Sequence, residues 1–127
     1  MDIEMKVAQV LPDGVHAGKI ETVKYDTEPY DYTRVVICDV DGKPELKDFR
    51  IEYSCPTNLS DKSKLMALLS NFGVKFVEGQ VANPSNVLVT GTKVQFTTVQ
   101  KPSKKDPNQK YAEIADGSVK PTNIVQV

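Results

Sequence analysis

Short apolar alternations dominate the chain. After the turn signal Leu11-Pro12-Asp13-Gly14, the segment Val15 to Tyr25 places apolar side chains at Val15 and Ala17, then Ile20, then Val23 and Tyr25. A period of two that slips by one residue predicts a long strand with a β-bulge, and Gly18 lies where the first slip would bend it. Tyr32 to Val40 is rich in β-branched and aromatic residues and predicts a second strand. Thr33, Val35, Ile37 and Asp39 share one face; Tyr32, Arg34, Val36 and Cys38 share the other. Asp41-Gly42 signals a hairpin turn, lengthened by Lys43-Pro44. A third strand, Leu46 to Tyr53, sets Phe49, Ile51 and Tyr53 against Asp48, Arg50 and Glu52, so one face packs and one meets solvent.

The period then changes. Leu65, Leu68, Leu69 and Phe72 follow helical spacing, with Ser60 as the expected N-cap and Gly73 as the left-handed stop. The spacing predicts one amphipathic helix of about three turns. Val74 to Asn86 carries no sustained period; Lys75-Phe76-Val77 is its one candidate strand. Gly91 to Gln100 alternates Val94, Phe96 and Thr98 against Lys93, Gln95, Thr97 and Val99. A loop from Gln100 to Lys110 leads to a last strand, Tyr111 to Ile114, and a weakly apolar tail follows from Thr122. Three strands, a helix and two strands, with a bent first strand, predict an all-β fold with one helix. The expected architecture is an OB-fold, a five-stranded Greek-key barrel with the helix between strands three and four. All 127 residues form one expected domain, with its core at about 11–115 and a C-terminal tail at 116–127.

Charge alters this picture only locally. The formal net charge is −1, which excludes a strongly basic or strongly acidic partner-binding protein. Yet residues 1–60 carry seven basic and twelve acidic side chains, and residues 91–127 carry six and three. The positive excess lies in the closing hairpin. No apolar run is long enough to span a membrane, and Met1 to Val10 lacks the pattern of a signal peptide. Cys38 and Cys55 read as reduced thiols of a cytoplasmic protein.

No catalytic grouping emerges. His16 has no nucleophile motif beside it and is expected at the surface or rim. The cysteines lack metal spacing, so neither metal nor cofactor is expected. Asp26, Glu28 and Asp31 lack the spacing of a calcium loop and read as a solvated turn. Gly91-Thr92-Lys93 ends like a phosphate loop without its preceding glycines. The chain therefore reads as a binder and not an enzyme.

Both arginines, Arg34 and Arg50, fall on the expected solvent face of strands two and three, as approximate cross-strand neighbours, with Tyr32 beside Arg34. Guanidinium groups fork phosphates and tyrosines stack bases. Lys101, Lys104, Lys105 and Lys110 surround a single acid, Asp106, with Tyr111 directly after, as suits a mobile basic finger. The plainer reading is a salt-bridged face and an ordinary solvated hairpin tip. Tyr30 adds a stacking ring in the loop between strands one and two, but the three carboxylates there repel phosphate.

Residues Leu11 to Ile20 (LPDGVHAGKI), the stretch Gly91-Thr92-Lys93-Val94, the basic loop and Tyr111-Ala112-Glu113-Ile114 resemble the opening and closing segments of small phage-encoded OB-fold proteins. The resemblance covers about residues 11–115 and rests on short motifs. It implies non-catalytic single-stranded-DNA binding in replication or recombination, with Tyr32, Arg34 and Arg50 as sheet-face contacts, and a host-cytoplasm location. RNA stays open as the alternative strand. The chain lacks the acidic, Pro-Phe-ending tail of bacterial single-strand binders, and it has no Trp. The rival reading is a β-barrel interaction or assembly module that forms homo-oligomers through a sheet edge or through Ile124, Val125 and Val127 of the tail.

Overall fold

The computed structural model describes residues 11–105 and 108–122. The expectations for Met1–Val10, Asp106 and the tail residues Ile124, Val125 and Val127 lie outside the described residues. Strands β1 (Gly14–Asp26), β2 (Tyr32–Cys38) and β3 (Ile51–Pro56) come first. Helix α1 (Lys64–Asn71) and the single turn α2 (Pro84–Val87) follow. Strands β4 (Lys93–Pro102), β5 (Lys110–Ile114) and the two-residue β6 (Lys120–Pro121) close the fold. The order in the sheet is β3-β2-β1-β4-β5, with β6 also on β4, and every pairing is antiparallel. The protein is thus mostly β, an open six-stranded sheet with one longer helix.

The long first strand holds the sheet together. Its Gly14–Lys19 half pairs with β4 and its Lys19–Asp26 half with β2. Between Ile20 and Thr22 the register shifts by one, so Glu21 is the bulged residue. Ile20, at the bulge, also donates to Thr92 O (2.9 Å) and accepts from Gly91 N–H (2.8 Å). Before the bulge His16, Gly18 and Ile20 face inward; after it Val23 does.

One slip, not two, therefore orders β1, and Val15 and Ala17 point outward. The expected surface position of His16 is also corrected: the residue is buried. Phe96 explains both. Its ring is fully buried opposite His16, with the two ring centroids 5.8 Å apart. A Cβ on Gly18 would lie 2.6 Å from Ile37 Cγ2 and 3.5 Å from Phe96 Cε1, so that inward position has room only for hydrogen.

His16 Nε2 donates to Pro12 O (2.9 Å), and Nδ1 lies 2.7 Å from Asp41 Oδ2. Asp41 Oδ1 also accepts the Ala17 N–H at 2.9 Å. One carboxylate thus pins the β2–β3 connection to β1. That connection contains two 3-10 turns, Val40–Gly42 and Pro44–Leu46. Leu46 is buried in the second turn, so β3 starts at Ile51, later than the alternation at Leu46 suggests. Pro44 fits the first position of its turn because it has no N–H to leave unpaired.

Helix α1 begins three residues later than expected. Ser63, not Ser60, is the N-cap, and its Oγ accepts the Met66 N–H at 3.1 Å. The helix spans eight residues, shorter than the three turns read from the spacing. Leu65, Met66, Leu68 and Leu69 are buried, and Phe72 packs against the core at its end. Gly73 takes φ 95°, its N–H reaching Ser70 O while the Val74 N–H reaches Leu69 O, so the last carbonyls are satisfied. The expected strand at Lys75–Val77 is not formed. Instead Asn83 caps α2, and Tyr25 Oη meets Ser85 Oγ at 2.7 Å, tying this turn to the end of β1.

The five-stranded, partly open barrel expected from the element order appears among the described residues as an open sheet, with β3 and β5 as its two ends. Strand β5 stops at Ile114, and α1 with the turn at 115–119 spans the opening. Asn71 Nδ2 donates to Gly117 O (3.2 Å) and Val119 O (2.9 Å). Tyr53 Oη donates to Asp116 Oδ1 (3.3 Å), and Lys64 Nζ reaches the same carboxylate at 3.2 Å. Among the described residues no helix is long and apolar enough to cross a membrane.

Burial alone would push the Asp41 carboxyl up, but hydrogen bonds from His16 and the Ala17 N–H, and the charges of His16 and Lys43, bring it below its ordinary value. A depressed carboxyl adds stability above its unfolded value, about 4, and loses it as pH falls through the lower folded value. Asp41→Asn is expected to lower stability at neutral pH by about 1 kcal/mol. In urea titrations the gap to wild type should shrink as pH drops below about 4. A gap that stays constant down to acid pH contradicts this role.

Candidate nucleic-acid interface

The outer face of the sheet is ordered by register. Lys93, Lys19 and Cys38 form one cross-strand row, and Thr22, Val36 and Glu52 another. Lys24, Arg34 and Ser54 follow, and Asp26, Tyr32 and Pro56 end the face. The inner face holds Thr33, Val35 and Ile37 on β2 and Val94, Phe96 and Thr98 on β4, all buried as the alternation predicts.

Arg34 and Arg50 are not cross-strand neighbours. Arg34 lies opposite Ser54, and continuing the register past Ile37 and Ile51 sets Arg50 beside Cys38. Four residues of strand, about 13 Å, separate the two. The paired 3-10 turns cause this, because they lengthen the connection and move the register of β3.

Both guanidinium groups have carboxylate partners. Arg34 Nε donates to Asp26 Oδ2, and Nη1 donates to Glu52 Oε1 at 3.4 Å. Arg50 Nε donates to Glu21 Oε2 at 2.8 Å, and Nη1 reaches the carbonyls of Lys47 and Phe49 at 3.0 Å. The hydrogen bond and charge of Asp26, and then Glu52, hold Arg34 above its usual value; Glu21 does the same for Arg50. All these side chains are more than a third exposed, so water and salt screen the pairs. A salt-bridged face is what the geometry contains, and an incoming anion has to exchange with a carboxylate to reach either arginine.

The tyrosines are differently placed. Tyr32 is half-buried at the head of β2, on the same face as Arg34. Tyr30 is 69% exposed in the loop joining β1 and β2, beside the exposed Glu28 and Asp31. Tyr111 is exposed on β5, directly opposite Lys101 on β4. A cleft of about 270 Å³ lined by Glu52, Ser54, Lys64, Tyr111 and Glu113 sets β5 beside β3. Tyr111 shares this cleft with Ser54, the cross-strand partner of Arg34, and with Glu52, which Arg34 also reaches; Arg50 does not line it.

In the β4–β5 hairpin, Glu113 holds Lys101 and raises its affinity for the proton. Lys104, Lys105 and Lys110 are exposed and make no ion pair among the described residues. The sequence left three outer-face cations unmarked: Lys19, Lys24 and Lys93. Their signal was present, since each alternates with inward residues, but only register shows that Lys19 faces Lys93 and Lys24 faces Arg34.

Among the described residues no group of His, Cys, Asp and Glu side chains is arranged to hold a metal ion. Cys38 and Cys55 are free thiols. Burial pushes Cys55 up to about 11, which makes it a poor nucleophile. Comparison of the chain with protein-family models and with curated proteins finds no match.

If Arg34 meets a nucleic-acid phosphate, Asp26 competes with it. Asp26→Asn is then expected to tighten binding of a short oligothymidylate about threefold or more at low salt. The gain should vanish in the Asp26→Asn, Arg34→Ala double variant. Fluorescence anisotropy checks both, and an unchanged affinity in Asp26→Asn removes Arg34 from the interface.

Proposed function

We propose that this protein is a non-enzymatic binder of single-stranded nucleic acid, with the strand lying across the outer face of β2 and β3 and held by the β4–β5 hairpin. The carrying observation is the hairpin itself: exposed Lys104, Lys105 and Lys110 have no carboxylate partner among the described residues, next to the outward Lys101–Tyr111 pair. Lysines in this state are available to neutralise phosphates and release counterions, and a nearby tyrosine supplies a face for a base.

The strand order supports an OB-type reading. A central bent strand paired to the second strand on one side and the fourth on the other, with the fifth outside the fourth, is the path of that Greek-key barrel opened between its third and fifth strands. In that fold the outer face of strands two and three takes the ligand, flanked by the loops after strands one and four. Tyr32 and Arg34 lie on the second strand, Tyr30, Lys104 and Lys105 lie in those two loops, and Lys110 and Tyr111 open the fifth strand beside them. Arg50 sits apart and contributes less.

The electrostatics also set the kind of binding. Carboxylates occupy Arg34 and Arg50, and Glu28 and Asp31 stand in the β1–β2 loop. The grip on a strand is therefore modest and strongly salt-dependent. Binding of this kind suits DNA strands that are exposed transiently in replication or recombination, the setting that the resemblance to phage proteins implies.

The test is a titration of labelled single-stranded and duplex oligonucleotides across a salt series. Preference for the single strand is expected, with affinity falling steeply as salt rises. Lys104→Ala with Lys105→Ala should flatten the salt slope by about 0.7 for each phosphate that is no longer neutralised. Equal binding of duplex, or affinity indifferent to salt, overturns the proposal.

A further inference from the structure

We propose a phosphoryl-binding pocket on the outer face, at the opposite end of β2 from Tyr32, formed by β1, β4 and the connection between β2 and β3. The cavity measures about 450 Å³, within the range of small-ligand sites. Lys19, Lys43, Lys47 and Lys93 line it, with Asp39 as the single carboxylate in the lining. These lysines come from three separate stretches of chain, and folding gathers them around one hollow.

One observation points to an anion, and a second shows that the wall around it is held. First, Lys19 and Lys93 are direct cross-strand partners. Like charges placed opposite each other on a sheet are destabilising unless something of opposite sign lies between them. Asp39 approaches Lys19 at 3.9 Å, while Lys43, Lys47 and Lys93 make no ion pair among the described residues. The site holds an excess of positive charge that nothing in its lining cancels. Second, its wall is fixed from behind. Asp39 and Asp41 take left-handed backbone angles (φ 51° and 55°), an uncommon conformation for residues other than glycine. The Asp41 carboxylate is bound to His16 and the Ala17 N–H and does not line the hollow, so it keeps the wall in place; of the lining lysines, Lys43 is the one whose charge acts on it.

Ala17, Gly18 and Pro44 give the lining an apolar part beside the four lysines. Compact point charges around a small hollow suit a phosphoryl group, and the volume leaves room for the sugar or base attached to it. The phosphoryl group comes from one of two sources, a free nucleotide or phosphate, or a phosphodiester of a bound strand. Lys19 shares the outer face with Arg34, so a strand running along β2 reaches the pocket after about 13 Å. The inference needs neither the hairpin lysines nor Arg34, and it stands apart from the proposed single-strand contact there.

The test uses the full chain with inorganic phosphate, AMP and a short oligothymidylate, each titrated by calorimetry at constant ionic strength. Lys19→Gln and Lys93→Gln remove one charge each at exposed positions, and a urea titration verifies that each variant folds. At least one phosphate-bearing probe is expected to bind. Each Gln variant should weaken it about tenfold, the loss of one charged hydrogen bond. Lys104→Ala with Lys105→Ala should leave phosphate and AMP binding unchanged. Binding of AMP or phosphate that depends on Lys19 and Lys93 assigns the site to a free ligand. Dependence on the two lysines for the oligonucleotide alone assigns it to a strand. Absence of binding by all three probes, or binding indifferent to both Gln variants, overturns the pocket. Phosphate or AMP binding that persists while the oligothymidylate does not bind keeps the pocket and removes the hairpin reading.

Discussion

Strand β1 has to serve two partners, and the rest of the architecture follows from how it does so. A straight strand of this length would keep one edge on β2 and the other on β4 in a flat sheet. The bulge at Glu21 turns it, so that β4 is paired before the turn and β2 after it. The turn is tight because Gly18 lets Ile37 and Phe96 approach where any side chain would collide. His16 fills the adjoining inward position and is stitched to Asp41, which carries the constraint into the β2–β3 connection. Helix α1 then covers what the bent sheet leaves open.

This geometry explains why a nearly neutral chain presents sharply different charged regions. On the outer face both arginines have an acid within reach, Arg34 toward the β1–β2 loop and Arg50 beside the bulge. At the hairpin tip and around the hollow beside the bulge, lysines outnumber acids. In the proposed function, phosphate would have to compete with carboxylate in the paired region, whereas the lysine-rich regions offer charge without that competition. A net charge of −1 is therefore compatible with local binding and argues against indiscriminate attachment to duplex DNA.

Much of the fold was legible along the chain. The alternations at Tyr32–Cys38 and Lys93–Thr98 named the inward residues correctly, because both strands pack one face on the core. The helix stripe Leu65, Leu68 and Leu69 was legible for the same reason, whereas its cap was displaced because Ser60 and Ser63 both fit the pattern and only Ser63 meets the Met66 N–H. His16 was misplaced because alternation ranks it below Val15 and Ala17, and the polar partners that make its burial tolerable, Pro12 O and Asp41, are far apart in sequence or on the backbone. The interface was legible as a set of residue types but not as a map. Register separated Arg34 from Arg50, and the lysine-lined hollow was invisible because positions 19, 43, 47 and 93 meet only after folding.

In the proposed function a single strand of nucleic acid meets the outer face of this sheet and the β4–β5 hairpin. The most direct measurement is an amide chemical-shift titration of the full chain with a short single-stranded oligonucleotide. Shifts are predicted on Tyr32, Arg34, Tyr111 and the hairpin lysines, fading as salt is added, with the buried face around Val35 and Phe96 unmoved. Shifts confined to residues 74–82, or absent altogether at low salt, would contradict it.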